Sequence, residues 1–319
     1  MGKNPTPGNK PLSELETHYQ AKDVAKKMAN IPKRAFEQPV SLIKTRWGWC
    51  LSPPGDQFVT GSLRMFGIYS DTELAILGGL LPSSANVLVL GANVGTLAVP
   101  LAMRYNMVTA YEPQPLIAML LEANAAINNL SHKLFVEHAA VGPENGNIKV
   151  PVVNMDAVCN MGMVGKENWG AGADVKMVSF LDALTKFDNC YDLIVMDVEG
   201  MEVELLECLR EWVVEQRRAN VELPIMWVEC DRGGEHQDQT IKLIRDLGYT
   251  PYWCISPLCS RDVNINDEIE NPFGVQCSFN LLCMPGDVAS PIGGLREAFV
   301  DQHEAGPGCR PEWITWQLS

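Results

Sequence analysis

Val87-Leu88-Val89-Leu90-Gly91-Ala92-Asn93-Val94-Gly95 decides the fold. Four apolar residues read as a buried strand. They run straight into a glycine-bounded turn, and Thr96–Arg104 then reads as a helix. Glycines in such a turn let the backbone approach a ligand, and the following helix offers free N–H groups. The spacing is G-x-x-x-G, not the dinucleotide-binding G-x-G-x-x-G.

The pattern continues on both sides. Met107–Tyr111, Leu134–Val141, Tyr191–Met196 and Ile225–Glu229 are expected strands, and Pro115–Asn128 and Asp238–Leu247 expected helices. Strand and helix in turn predict an α/β fold with a parallel sheet, and the continuous apolar runs predict strands buried on both faces. Ahead of this, Ser70-Asp71-Thr72-Glu73 predicts a helix capped by Ser70, with Glu73 as capping-box partner, ending near Gly78-Gly79. Trp47-Gly48-Trp49 and Pro53-Pro54-Gly55-Asp56 read as an irregular segment packed on the domain. Pro11 to about Ala35 reads as a helical arm, and Met155–Ala173, rich in Gly, Asn and Met, as a long binding loop. Residues 1–68 are thus expected to form an arm and packing segment, 69–285 the domain, and 286–319 a tail carrying Trp313 and Trp316.

Composition limits the partners. The 319 residues hold 25 Lys+Arg against 39 Asp+Glu, a net charge of −14. An acidic background repels polyanions, so nucleic acid is not an expected partner. The longest apolar stretches are too short for a membrane span. The ten cysteines show no C-x-x-C and no zinc spacing. They read as reduced thiols in a reducing compartment, with the cytoplasm expected.

Three carboxylate groups carry the chemistry. Glu112 closes the second strand in Tyr111-Glu112-Pro113, about twenty residues after the glycine turn. A carboxylate there can accept both hydroxyls of a ribose. Asp197-Val198-Glu199-Gly200-Met201-Glu202 follows another strand, and Glu229-Cys230-Asp231-Arg232 a third. Crowded acids raise one another's pKa, hydrogen-bond a hydroxylated substrate or face a cation. Glu202 also suits a helix N-terminus. His236, in a Gly-rich turn, is a candidate proton acceptor or a surface histidine.

Gly91-Ala92-Asn93-Val94-Gly95, Tyr111-Glu112-Pro113-Gln114, Ala139-Ala140-Val141-Gly142, the D-V-E-G-x-E run from Asp197 and Glu229-Cys230-Asp231-Arg232 together resemble the FkbM family of S-adenosylmethionine-dependent methyltransferases. Asn271-Pro272-Phe273-Gly274 and Ser278–Cys283 resemble the family's C-terminal end. The resemblance implies a class I methyltransferase fold, Rossmann-like and doubly wound, with a seven-stranded mixed sheet. It implies S-adenosylmethionine as methyl donor and O-methylation of sugar or other polyhydroxylated small molecules. Carried over, Gly91, Asn93, Gly95, Glu112, Pro113 and Ala140 would bind the cofactor. Asp197 and Glu199 would sit by the methyl and the acceptor, and Asn168, Trp169 and Gly170 resemble the family's acceptor-side loop. Read from the residues themselves, Asp197 or Glu199 is the expected catalytic acid that takes or orients the acceptor's hydroxyl, His236 is a further catalytic candidate, and Glu229 and Asp231 are expected to face the acceptor. Asp197, Glu199, Glu229 and Asp231 could also hold a divalent cation, which is not the favoured reading. The arm or the tail could support a homo-oligomer. The chain departs from the family's D-x-G-A-N at Val89, where an acid is usual. That keeps a non-catalytic nucleoside-binding protein as the alternative, with a nicotinamide-dependent oxidoreductase behind it.

Overall fold

The computed structural model describes residues 40–152, 154, 165–186, 191–257, 277–286, 288 and 290–300. The expected N-terminal arm, most of the Met155–Ala173 loop, Asn271–Gly274 and both C-terminal tryptophans lie outside them.

Alternation in three central strands builds the core. These are β3 (Asn86–Leu90), β9 (Leu193–Met196) and β10 (Ile225–Glu229). Leu88, Leu90, Ile194, Met196, Met226 and Val228 face one hydrophobic cluster. Val87, Val89, Leu193, Val195, Ile225 and Trp227 face the other. A strand whose apolar side chains alternate between two faces must be covered on both sides. The first face is covered by α5 (Phe180–Thr185), α6 (Glu202–Arg218) and α7 (Gly234–Asp246). The second is covered by α2 (Asp71–Leu77), α3 (Ala98–Arg104) and α4 (Pro115–Ile127), while α1 (Val59–Phe66) belongs to a third, smaller cluster.

The main sheet also contains β4 (Met107–Tyr111), β5 (Leu134–Glu137), β11 (Tyr249–Pro257), β12 (Cys277–Pro285) and β13 (Arg296–Glu297). Its order is β13-β11-β12-β10-β9-β3-β4-β5. Strands β5, β4, β3, β9 and β10 are parallel, and β12 runs antiparallel between β10 and β11. This is the expected doubly wound mixed sheet, extended by the two-residue edge strand β13.

Local details depart from the sequence reading. The stretch expected as one strand, Leu134–Val141, is two. Ala139 N–H donates to Glu137 O at 2.9 Å, and this tight turn directs β6 (Ala140–Gly142) into a separate sheet. There it pairs with β8 (Ala173–Ser179), which also pairs with β7 (Gly146–Val150). The segment around Trp47 is not irregular. It is the turn of a hairpin joining β1 (Ser41–Thr45) to β2 (Gly48–Ser52). Asn124 of α4, almost fully buried, ties this hairpin to the glycine turn. Its Nδ2 donates to Leu51 O and Val94 O at 2.9 and 2.8 Å, and its Oδ1 accepts from Leu51 N–H.

The capping box does not form. Ser70 sits at φ 51°, ψ 38° and makes no side-chain cap, whereas an N-cap needs extended backbone. Glu73 turns instead toward the antiparallel strands. Its Oε1 accepts from Asn280 Nδ2 at 3.1 Å and Ser256 Oγ at 3.3 Å, and Ser278 also hydrogen-bonds it. Burial raises its pKa, against those hydrogen bonds. Folding therefore takes up a proton above the ordinary carboxylate range, and stability should fall as pH rises through that window. Glu73→Gln keeps the accepting oxygen and should flatten this fall in urea unfolding. Glu73→Ala strands two buried donors and should cost about 2–4 kcal/mol.

Candidate active site

Strand register brings the candidate residues into one row. Leu90 pairs with Tyr111 on one side and with Met196 on the other, and Met196 pairs with Val228. The next residues along these strands are Gly91, Glu112, Asp197 and Glu229. They emerge together at the carboxyl edge, where the chain order reverses about β3. Open α/β sheets bind ligands at such a point.

Gly91 makes the row possible. It sits at φ 78°, and a Cβ there would lie 1.7 Å from the Asp197 carbonyl oxygen. Gly91 N–H and Ala92 N–H both donate to Tyr111 O at 3.0 Å, and Asp197 N–H donates to Leu90 O at 3.1 Å. Gly95, at φ 95°, has similarly no room for a Cβ against Leu121 and Val99. Asn93 has a positive φ of 50°, and its Oδ1 accepts from Val94 N–H.

Glu112 is buried at 5% exposure. Its two oxygens accept from Asn93 N–H at 2.9 Å and Gln114 N–H at 2.8 Å. Burial pushes its pKa up to about 7, against the pull of those two bonds. Gln114 Oε1, on the same turn, is buried without a hydrogen-bond partner. Pro113 between them is half-buried, and Ala140 is buried at the start of β6.

The other acids crowd together. Asp197, Glu199 and Glu229 each place a carboxylate oxygen within 4.8 Å of the others, close enough to share a cation. Asp197 and Glu229 end neighbouring strands, so their carboxyls face each other across one strand spacing. Burial, then the charges of Glu202, Glu73 and Asp231, push Asp197 up to about 7. Burial and Asp197 push Glu199 up to about 9. Glu229 rises well above its ordinary value through burial and then Asp197. Asp231 rises through burial, with Arg232 opposing. A proton shared between two close carboxyls relieves this repulsion.

Glu199 occupies the left-handed region at φ 52°, uncommon for a residue with a side chain. Arg232 Nη2 donates to its carbonyl at 2.7 Å and lies 3.6 Å from its carboxylate. His236 lies in the first turn of α7, not in a loop. Its Nε2 is 3.6 Å from Glu202 Oε2, so it faces Glu202 beneath the acid turn. Trp169 follows a short 3-10 turn, Lys166–Asn168, and packs half-buried on the core. Asn168 is exposed.

Two contributors carry little sequence signal. Tyr69 has its phenol pKa raised by burial and then by Glu73, Asp197, Asp56 and Glu229, which places it among the acids. Together with Trp47, Gly95 and Thr96 it lines a small apolar cavity under the hairpin. Glu73 comes from a helix whose sequence reads as a capping box. Val89, where the family usually has an acid, is 1% exposed and packs in the core beneath the glycine turn.

A doubly wound sheet with a glycine turn, an acid closing the next strand and carboxylates at the switch point defines a Rossmann-like class I methyltransferase. The FkbM methyltransferase domain matches residues 90–251, and the chain belongs to that family. No curated protein matches the chain. Solved structures resemble it at low identity. A precorrin-8W decarboxylase from Methanobacterium thermoautotrophicum is 13% identical, with a TM-score of 0.41 over 67% of this chain and 89% of that one. A precorrin-6y C5,15-methyltransferase from Geobacter metallireducens is 10% identical, with a TM-score of 0.41 over 67% and 85%. A tRNA (uracil-54, C5)-methyltransferase from Pyrococcus abyssi, in complex with S-adenosyl-L-homocysteine, is 13% identical, with a TM-score of 0.41 over 77% and 44%. Strand order and family membership carry the fold assignment, not these likenesses.

The residues fit the family's cofactor, S-adenosylmethionine. Gly91 and Asn93 of the glycine turn are partly exposed, Gln114 Oε1 is an unused acceptor on the turn after Glu112, and an acid-lined edge suits a sulfonium cation. Each Glu112 oxygen accepts a single main-chain hydrogen bond and has a lone pair left for a ribose hydroxyl. Glu112→Ala should therefore weaken S-adenosylhomocysteine binding by about 10–100-fold in calorimetry, the worth of hydrogen bonds to a charged group.

Proposed function

We propose that this chain transfers a methyl group from S-adenosylmethionine to a hydroxyl of a sugar or other polyhydroxylated small molecule. The observation that carries the reading is the convergence of Asp197, Glu199 and Glu229, with carboxylate oxygens within 4.8 Å of one another, at the strand edge beside the glycine turn. Bound S-adenosylmethionine supplies an electrophilic methyl on a sulfonium. Methyl transfer needs positioning above all, and a hydroxyl acceptor must also lose its proton. Asp197, poised near neutral pH beside Glu229, accepts that proton in this proposal. Glu199 and Asp231 orient further hydroxyls, with Asn168 and Trp169 on the acceptor side. Gly91, Asn93, Gly95, Glu112, Pro113 and Ala140 hold the cofactor.

A reducing, cytoplasmic setting belongs to the same proposal. Cys50, Cys208, Cys230, Cys254 and Cys283 are free thiols. No described helix is long and apolar enough to cross a membrane. The buried, apolar setting of Val89 favours one second reading. That position offers the cofactor no charge, as a non-catalytic nucleoside binder would allow.

Calorimetry with S-adenosylmethionine, S-adenosylhomocysteine and NAD separates these classes. Binding of neither sulfur compound would overturn the proposal. Incubation with S-adenosylmethionine and a panel of methyl glycosides and cyclitols should give products heavier by one methylene. A base works only when deprotonated, so turnover should climb as pH rises through about 7. Asp197→Asn should lower turnover by about 10²–10⁴-fold and abolish that rise, with cofactor binding nearly intact. Unchanged turnover in this variant would remove Asp197 from the mechanism.

A further inference from the structure

Beneath the acid turn lies a second group of polar atoms that the proposed chemistry does not use. Glu202 opens α6 with its side chain 2% exposed. Its Oε1 accepts from Val198 N–H and Gly200 N–H, each at 3.2 Å. These two amides flank Glu199, so one carboxylate oxygen holds the left-handed residue from below. From above, Arg232 binds the Glu199 carbonyl and packs on Gly200, where a Cβ would lie 2.7 Å from the guanidinium carbon.

The other oxygen, Glu202 Oε2, is buried and makes no hydrogen bond. It lies 3.6 Å from His236 Nε2, and both ring nitrogens of His236 are also buried without partners. Glu204 Oε2 is a fourth such atom, while its Oε1 pairs with Lys166 at the turn before Trp169. Unpartnered buried polar atoms are costly and few in folded proteins. A proton on His236 Nε2 would give Glu202 Oε2 a partner after a small closure.

We infer that Glu202 and His236 form a positioning pair. Glu202 holds the Asp197–Gly200 turn through one oxygen and is itself held by His236 through the other, so that Glu199 keeps its place toward the acceptor. Neither residue need touch cofactor or acceptor. This rests on the methyl-transfer reading above, because it assigns the pair to that site. The pair sits among charges from three sides. They are Glu202 and Glu204 on α6, Asp231 and Arg232 on the loop before α7, and Lys166 on the 3-10 turn. Burial lowers the pKa of His236, and Glu202 opposes that most.

The test uses the full chain labelled with 15N-histidine, with the His236 signal assigned by its loss in His236→Asn. Glu202→Gln removes the anion beside the ring and should lower the His236 midpoint by about one pH unit. It keeps an accepting oxygen for the turn, so the Val198 and Gly200 amides should stay protected from hydrogen exchange. Glu202→Ala should accelerate exchange of both amides by about tenfold or more. It should also lower kcat on the methyl glycoside panel by about 10²-fold with KM for S-adenosylmethionine unchanged, and Glu202→Gln should largely restore kcat. An unmoved His236 midpoint in Glu202→Gln, or unchanged kcat in Glu202→Ala, overturns the inference. If Glu202→Ala does not fold, the Glu202→Gln titration decides alone. If the panel shows no turnover in wild type, the methyl-transfer reading fails, and the titration and exchange still decide whether the pair holds the turn.

Discussion

A missing side chain governs the site. Gly91 and the Asp197 carbonyl approach so closely that a Cβ would stand 1.7 Å from the oxygen. That contact lets the turn after β3 lie directly against the turn after β9. The strand register then sets Glu112 on one flank and Glu229 on the other. The contacts of the glycine turn follow from it. Asn93 N–H reaches Glu112 because the glycine turn is drawn in, and Asn124 ties the same turn to the hairpin through Val94. A larger residue at 91 would separate the cofactor-binding side of the edge from its acidic side.

The acidic side is an electrostatic load that the fold tolerates. Asp197, Glu199 and Glu229 share one small volume, with Glu73 and Asp231 close by. Burial and mutual repulsion raise their pKa values, so part of the charge counted from sequence is absent near neutral pH. Arg232, from the loop before α7, is a basic partner of that turn through the Glu199 carbonyl. The carboxylates that stay ionised, and those that a cation's approach would ionise, favour a cation at this edge. The net charge of −14 is thus concentrated in part where a sulfonium donor would enter.

The frame was legible because its signals are local. Apolar runs such as Val87–Leu90 and Ile225–Glu229 have one compatible structure when flanked by helices, and Met107–Tyr111 begins and ends where expected. The acids after β4, β9 and β10 could be assigned to one edge because parallel strands deliver their C-terminal residues to the same side. Ser70 and Glu73 show where local reading fails. Their spacing satisfies a capping box, yet Glu73 finds partners on β11 and β12, some two hundred residues further along. His138 shows it again, where a single tight turn sends β6 to a different sheet.

The sequence by itself determined the class of fold, the glycine turn, the acid closing β4 and the family, because each is written in contiguous residues with a local physical cause. Tertiary structure alone decided which acids touch. The approach of Asp197 to Glu229, the turn of Glu202 toward His236 and the reach of Tyr69 into the acid cluster arise from strand register and helix packing. Those are set by burying two hydrophobic faces at once. No short segment encodes that requirement, so no motif could announce its result.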